Sequence, residues 1–331
     1  MTSAPQKMPP KLAKVPPFPA VALKLMSLLS DEGSGFSSIA SCIATDPVLS
    51  GQLINRANAA DMASYCEVRN VLQAVSSLGM DRTREVSMTL ATAAYAGSAV
   101  KTEVLQPCWH HTLASALIAS ELARLCGFRP AEVYTAALLH DIGRLGLLTA
   151  YPVEYEAILL QTGEQPGGLL EVERANFGVD HVEAGVWLAH EWKLPESIVE
   201  VIANHHRPAD GPLGEIGIVH MACLLADLLG FAVERSRTLP ELEEIVGGLP
   251  APARSRLSTQ LPVLRAAIHK EIGLCEGADT PPAPMAAGEG DAVQEGPLEG
   301  PTAAPRTRWL AVAGLAGVAI LMFALAATLV R

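Results

Sequence analysis

The chain is poor in aromatic residues, at 5% of 331, and no two of its six cysteines form a CxxC pair. The scatter of Cys42, Cys66, Cys108, Cys126, Cys223 and Cys275 argues against a zinc ribbon and against a secreted disulfide framework, and fits a reducing cytosol. There is no lysine- and arginine-rich run, and a net charge of −11 repels phosphate backbones, so nonspecific nucleic-acid binding is not expected. No segment alternates apolar and polar residues as a half-buried strand does. The start of the chain, MTSAPQKMPPKLAKVPPFPA, is broken by prolines and lacks an apolar h-region, so it does not read as a signal peptide.

What is present is helical periodicity. Asp46-Pro47 supplies an N-cap and a first-turn proline, after which Leu49, Leu53, Ile54 and Ala57 fall on one face of a helix predicted to run into Asn58. A break at Leu78-Gly79-Met80-Asp81 precedes TREVSMTLATAAYA, where Val86, Leu90, Ala93 and Ala94 keep helical spacing. TLASALIASELARL, AEVYTAALLHDIG, DHVEAGVWLAHEW and PESIVEVIANHH behave alike. The fold class is all-α, and the chain divides into helical lobes over about 11–100 and 101–230, with a helical extension over 231–275. The first ten residues are read as disordered.

The C-terminal part is different. Residues 276–308 are rich in Pro, Gly, Ala and acid with no apolar period, a composition that cannot bury enough surface to order itself. Such a tether reaches roughly 30 Å. It leads into WLAVAGLAGVAILMFALAATLV at 309–330, which carries no charge. At about 1.5 Å per residue this run matches a bilayer's hydrocarbon thickness of about 30 Å, so it reads as a transmembrane helix. Arg306 and Arg308 precede it and Arg331 follows, which orients the chain as a single-pass protein of the cytoplasmic membrane with its N-terminal domain in the cytoplasm.

Eight of the nine histidines lie between His110 and His220. The sharpest element is His140-Asp141-Ile142-Gly143 at the end of an apolar helix, where imidazole and carboxylate can turn toward a common metal and Gly143 relaxes the backbone after the pair. His111, His181 and the tandem His205-His206 sit on separate predicted helices, an arrangement that lets facing helices supply ligands to one site. His110, His190, His220 and His269 read as surface or partly buried residues, because nothing nearby in sequence completes a site.

HDIG, the upstream His111 in WHHTLASA and the later NHH resemble the HD superfamily of metal-dependent phosphohydrolases. Over about 11–230 the chain is more similar still to the HDOD branch, the HD-related output domain. VPPFPAVALKLMSLL, ATDPVLSGQLINRANAA and VLQAVSSLGMDRTREV resemble that branch's proline-rich start, DPxL helix and Ala-x-x-x-LG segment. FGVDHVEAGVWLAHEWKLPESIVEVIANHHRP resembles its run of histidine, glycine, tryptophan and LP leading to paired histidines.

The resemblance implies an HDOD/HD-like fold and one or two divalent metal ions. His111, His140 and Asp141 would be ligands of the first, with His181 and His205 or His206 near the second. Cys223 stands where members with a complete site have an aspartate, which adds a soft donor to the set and points to zinc or iron rather than magnesium or manganese. Asp227, one turn along, is a substitute ligand on this reading. The GYP segment of the related cyclic-dinucleotide phosphodiesterases is replaced by HHRPADGPLGE. Arg144 resembles a basic residue that family enzymes aim at a phosphate, an exposed arginine being the alternative.

The expected function is membrane-anchored signal transduction through contacts with signalling proteins, with a degenerate metal site; the alternative is a metal-dependent phosphohydrolase. A homodimer is also expected as an option, for which SRLSTQLPVLRAAIHKEI offers the extra helix.

Overall fold

The computed structural model describes residues 8–31, 33–59, 67–97, 100, 102–161, 168–207, 212–234 and 239–277. The expected tether beyond 277, the transmembrane run at 309–330, most of the N-terminal ten residues and Cys66 lie outside the described residues. Among those described, no helix is long and apolar enough to cross a membrane.

Every regular element among the described residues is helical. A short 3-10 turn at Leu12–Lys14 is followed by α1 (Ala20–Ser30), α2 (Phe36–Ile43), α3 (Pro47–Ala59) and α4 (Val71–Ala96). Asp46 caps α3, its Oδ1 accepting from the N–H groups of Val48 and Leu49 at 3.0 Å each, while Pro47 occupies a position that needs no donor. The predicted break in α4 falls at Gly79, where φ is +75°. With ψ at 173° this conformation is essentially reserved for glycine and would cost another residue about 1–3 kcal/mol.

Two apolar cores result. The smaller gathers Leu25, Ile39, Ile43, Leu49, Leu53 and Val75. Beyond Gly79, α4 serves both cores: Val86 and Leu90 face the smaller one, Met88, Ala91 and Tyr95 the larger. The segment ahead of α1 also reaches the larger core, where Phe18 stacks on Trp192 at 5.7 Å and meets Tyr95 at 5.8 Å.

The larger core is built by α5 (Gln106–Cys126), α6 (Pro130–Leu139), α7 (Ile142–Ala150), α8 (Pro152–Gln161), α9 (Leu169–Phe177), α10 (His181–Glu191), α11 (Glu196–Asn204), α12 (Glu215–Ala226), α13 (Leu242–Ile245) and α14 (Ala251–Gly277). α5 packs against α6, α12 and α14. Its buried Ala114, Ser115, Ala116 and Ala119 keep it slim enough for close neighbours, and Leu113, Ile118 and Leu122 fill the gaps between them. α10 begins with a capping box in which the Asp180 side chain accepts from the Glu183 N–H and the Glu183 carboxylate accepts from the Asp180 N–H.

Gly143 has a different role from the one expected of it. It lies inside α7 with no positive φ, and a Cβ there would stand 1.9 Å from the His181 carbonyl oxygen and 2.3 Å from the Gly185 nitrogen. The absent side chain lets α7 and α10 touch backbone to backbone, which brings His181 at the start of α10 to 3.4 Å from Asp141 at the start of α7.

The segment that offered a dimerisation helix is α14. Its Ala253, Leu257, Ile268 and Ile272 are buried in the larger core, so that apolar stripe is used within the chain. At its end Glu271 accepts from Arg56 of α3 at 2.7 Å and lies 3.7 Å from Arg82 of α4, fastening α14 to the helices of the smaller core.

Candidate metal centre

His111 projects from the first turns of α5. His140 and Asp141 occupy the junction between α6 and α7, where Asp141 leaves helical geometry at φ −100°, ψ 20°. His181 is the first residue of α10, His205 and His206 follow α11, and Cys223 lies on α12. All of these predicted residues line one cavity of about 320 Å³.

They form two adjoining groups. In the first, one ring nitrogen each of His111 and His140 and the sulfur of Cys223 lie within 4.8 Å of one another. In the second, one donor atom each of Asp141, His181, His205 and His206 meets the same limit. Asp141 Oδ1 is 3.4 Å from His181 Nε2 and 3.5 Å from His205 Nε2, and Oδ2 is 3.6 Å from His140 Nε2.

The outer ring nitrogens explain why the inner ones converge. His140 Nδ1 bonds to the Ala137 carbonyl, His205 Nδ1 to the Ile202 carbonyl at 2.8 Å, and His181 Nδ1 to Glu173 Oε2 at 2.6 Å. His111 Nδ1 lies 3.2 Å from the Phe231 carbonyl and 3.1 Å from Asp227 Oδ1. With one proton of each ring held on the acceptor side, Nε2 faces inward, where an ion can take the place of a second proton. His140 Nε2 and His205 Nε2 are buried and make no hydrogen bond. Buried ring nitrogens that make no hydrogen bond, one of them grouped with a cysteine sulfur and both near a carboxylate, are the surroundings a divalent cation needs, and outer-shell acceptors of this kind orient metal-binding histidines. The residues present therefore fit a metal ion.

The charges of these groups act strongly on one another. Burial raises the proton affinity of the Asp141 carboxyl, but the Arg144 guanidinium beside it, followed by His140 and His181, holds it well below the usual carboxylate range. Burial pushes His205 down to about 4. For Cys223, burial is outweighed by the charge of His140 and the contact with His111, which bring the thiol down to about 6. His111 is pushed up to about 10, because Asp227 and Cys223 together overcome its burial.

Two expected roles change. Arg144 is not an exposed arginine: it is 4% exposed, its Nε donates to Asp141 Oδ2 at 2.8 Å, and its buried Nη1 makes no hydrogen bond. Asp227 stands on the outer nitrogen of His111, where it orients the ring, a different task from replacing Cys223 as a ligand.

Some wall residues carry no signal in the sequence. Glu173 sits in a helix that reads as an ordinary acidic one, yet it is fully buried. Its carboxyl is kept low chiefly by His181 and then Arg144, against its burial. His220, read as a bystander, lines the cavity, and its Nδ1 bonds to the His205 carbonyl at 2.7 Å. Glu171 and Glu234 add acid to the rim. His110, by contrast, pairs with Glu276 at 2.8 Å away from the cavity, and His269 lies against Phe231.

The HDOD domain family model matches residues 15–208. The chain belongs to the HDOD family. Among solved structures, an HDOD domain protein of unknown function from Geobacter sulfurreducens is 24% identical with a TM-score of 0.66, covering 77% of this chain and 93% of that one. A candidate signal-transduction protein from Marinobacter aquaeolei VT8 is 21% identical with a TM-score of 0.62, covering 80% and 60%. A candidate phosphohydrolase from Shewanella amazonensis SB2B is 24% identical with a TM-score of 0.55, covering 81% and 91%. These likenesses show the HDOD fold. An uncharacterized protein of Treponema pallidum (strain Nichols) is 23% identical over 211 residues, spanning 61% of this chain and 39% of the relative. This HDOD protein thus spans well under half the length of that curated relative.

Proposed function

We propose that this HDOD protein is a signal-transduction protein that works through contacts with other signalling proteins, and that its metal site is degenerate for phosphoester hydrolysis. The observation that carries the reading is the state of Arg144, the one lysine or arginine among the described residues of the cavity lining: its charge is paired with Asp141. A phosphoester anion meets Glu171 and Glu234 in the lining and, among the described residues there, no guanidinium or ammonium whose charge is not already balanced by a carboxylate, although Arg144 Nη1 itself makes no hydrogen bond. Cys223 adds to this, because it places sulfur where an oxygen donor would suit a hard ion.

The apolar run at 309–330 supports anchoring to the cytoplasmic membrane with the HDOD domain in the cytoplasm, where partners would be met at the membrane surface.

The second reading is a metal-dependent phosphohydrolase, favoured by the closeness of the two donor groups around Asp141. A divalent ion there supplies Lewis-acid activation of water. The chain's own part would be to hold donors, through Ala137, Glu173, Ile202 and Phe231 on the outer nitrogens.

The test is a hydrolysis assay of the detergent-solubilised full chain on bis(p-nitrophenyl) phosphate with zinc, manganese or magnesium, against Asp141→Ala. Rates equal in both proteins support the signalling reading. Metal-dependent turnover lost in Asp141→Ala would establish the phosphohydrolase.

A further inference from the structure

The two donor groups differ in chemistry. His111, His140 and Cys223 form a nitrogen and sulfur set. The Nδ1 atoms of both histidines are taken by protein acceptors, and His140 Nε2, in a residue 1% exposed, has no hydrogen-bond partner. A buried sulfur beside two inward-facing imidazole nitrogens favours a thiophilic ion, since thiolate and imidazole suit zinc and its congeners while magnesium and manganese prefer oxygen.

The second group already holds a cation. Arg144 Nε donates to Asp141 Oδ2 at 2.8 Å, and its Nη2 lies 3.5 Å from Oδ1 and 3.2 Å from His181 Nε2. The guanidinium therefore neutralises the one carboxylate in the set and, together with His206 Nε2 at 2.8 Å, occupies the approach to His181 Nε2. A divalent ion among Asp141, His181, His205 and His206 would stand beside a fixed positive charge in a buried site, and Asp141 Oδ2 would have to leave Arg144 to be shared between two ions.

We propose that His111, His140 and Cys223 form a mononuclear thiolate site for a zinc-class ion, and that the Arg144 guanidinium stands in for a second metal beside Asp141. This rests on the histidine cluster being a metal centre and is independent of whether phosphoesters are hydrolysed. It assigns the chain one ion, where two adjoining donor groups would suggest two.

Cobalt(II) reports on both parts, because it replaces zinc and a cobalt–thiolate bond gives a near-ultraviolet charge-transfer band. Titration of the detergent-solubilised full chain is expected to saturate at one cobalt with that band present, and one equivalent of zinc is expected to abolish it. Cys223→Asp, checked for native helicity by circular dichroism, is expected to lose the band and to gain manganese binding. Arg144→Gln is expected to take up a second ion. Absence of the band, or its survival in Cys223→Asp, would overturn the thiolate site. Saturation of the unaltered chain at two ions, or at one ion in folded Arg144→Gln, would overturn the role of the guanidinium. If Arg144→Gln does not fold, the stoichiometry of the unaltered chain still decides. Phosphoester turnover in the same samples is a separate readout, so the failure of the signalling reading would be seen with the cobalt spectrum intact.

Discussion

Glu173 grips His181 twice, its Oε2 accepting from the backbone N–H at 2.8 Å and from Nδ1 at 2.6 Å. Its other oxygen accepts from the Tyr155 hydroxyl, so a fully buried carboxylate is satisfied on both sides. Glu173→Ala leaves His181, Tyr155 and the charge of Arg144 without this partner and is expected to cost about 3–5 kcal/mol in chemical denaturation. Glu173→Gln keeps the shape and should cost less, but the nitrogen-15 shifts of His181 should then show its tautomer no longer held with Nε2 toward Asp141. Unchanged shifts would mean that packing alone sets the ring.

Glu271 ties α14 to α3 and α4 through Arg56 and Arg82, with its side chain and that of Arg56 only 10% exposed. Removing its charge in Glu271→Gln is expected to cost about 1–3 kcal/mol. Hydrogen exchange should quicken in α3 ahead of α5, because the bridge spans the two cores. Equal quickening in both helices would show global destabilisation instead.

The contact between α7 and α10 leaves no room at Gly143, where the nearest obstacles are the backbone atoms of His181 and Gly185. Gly143→Ala must push the helices apart and is expected to cost more than about 3 kcal/mol, above the usual overpacking range because backbone cannot rotate away. A melting temperature within a degree or two of the unaltered chain would contradict this.

Tyr95 is a buried aromatic residue whose hydroxyl makes no hydrogen bond. Burial also pushes its pKa up from the ordinary value. The folded chain thus holds this proton more tightly than the unfolded one, so its contribution is fully present below about pH 10, the unfolded tyrosine value, and is lost as pH rises above it. Tyr95→Phe removes an unpaired polar group and is expected to stabilise by about 1 kcal/mol at neutral pH, with a shallower loss of stability on the alkaline side. Denaturation midpoints measured from pH 7 to 11 check both the offset and the slope.

Helices, the Asp46 cap and the break at Gly79 were legible in the sequence because each depends on neighbours within a turn or two. Asp46-Pro47 is an N-cap wherever it is placed, and φ of +75° selects glycine whatever surrounds it. The donor residues were legible for another reason: His111, His140, Asp141, His181, His205, His206 and Cys223 are chemically conspicuous and sit in a recognisable pattern. Their grouping into a nitrogen and sulfur set and an Asp141 set was not, since it depends on how α5, α10 and α12 pack around the junction of α6 and α7.

What tertiary structure alone decided is the second role in each pair. Arg144 faces His181 from 37 residues away, and His111 meets the Phe231 carbonyl from 120 residues away, so no local period records either contact. Glu173 looks like a surface acid because its spacing is that of one; its burial comes with contacts to Tyr155 of α8 and His181 of α10. A sequence states which groups can ionise, donate or ligate, whereas burial and distance determine which of them must, and both come from the long-range fit of the helices.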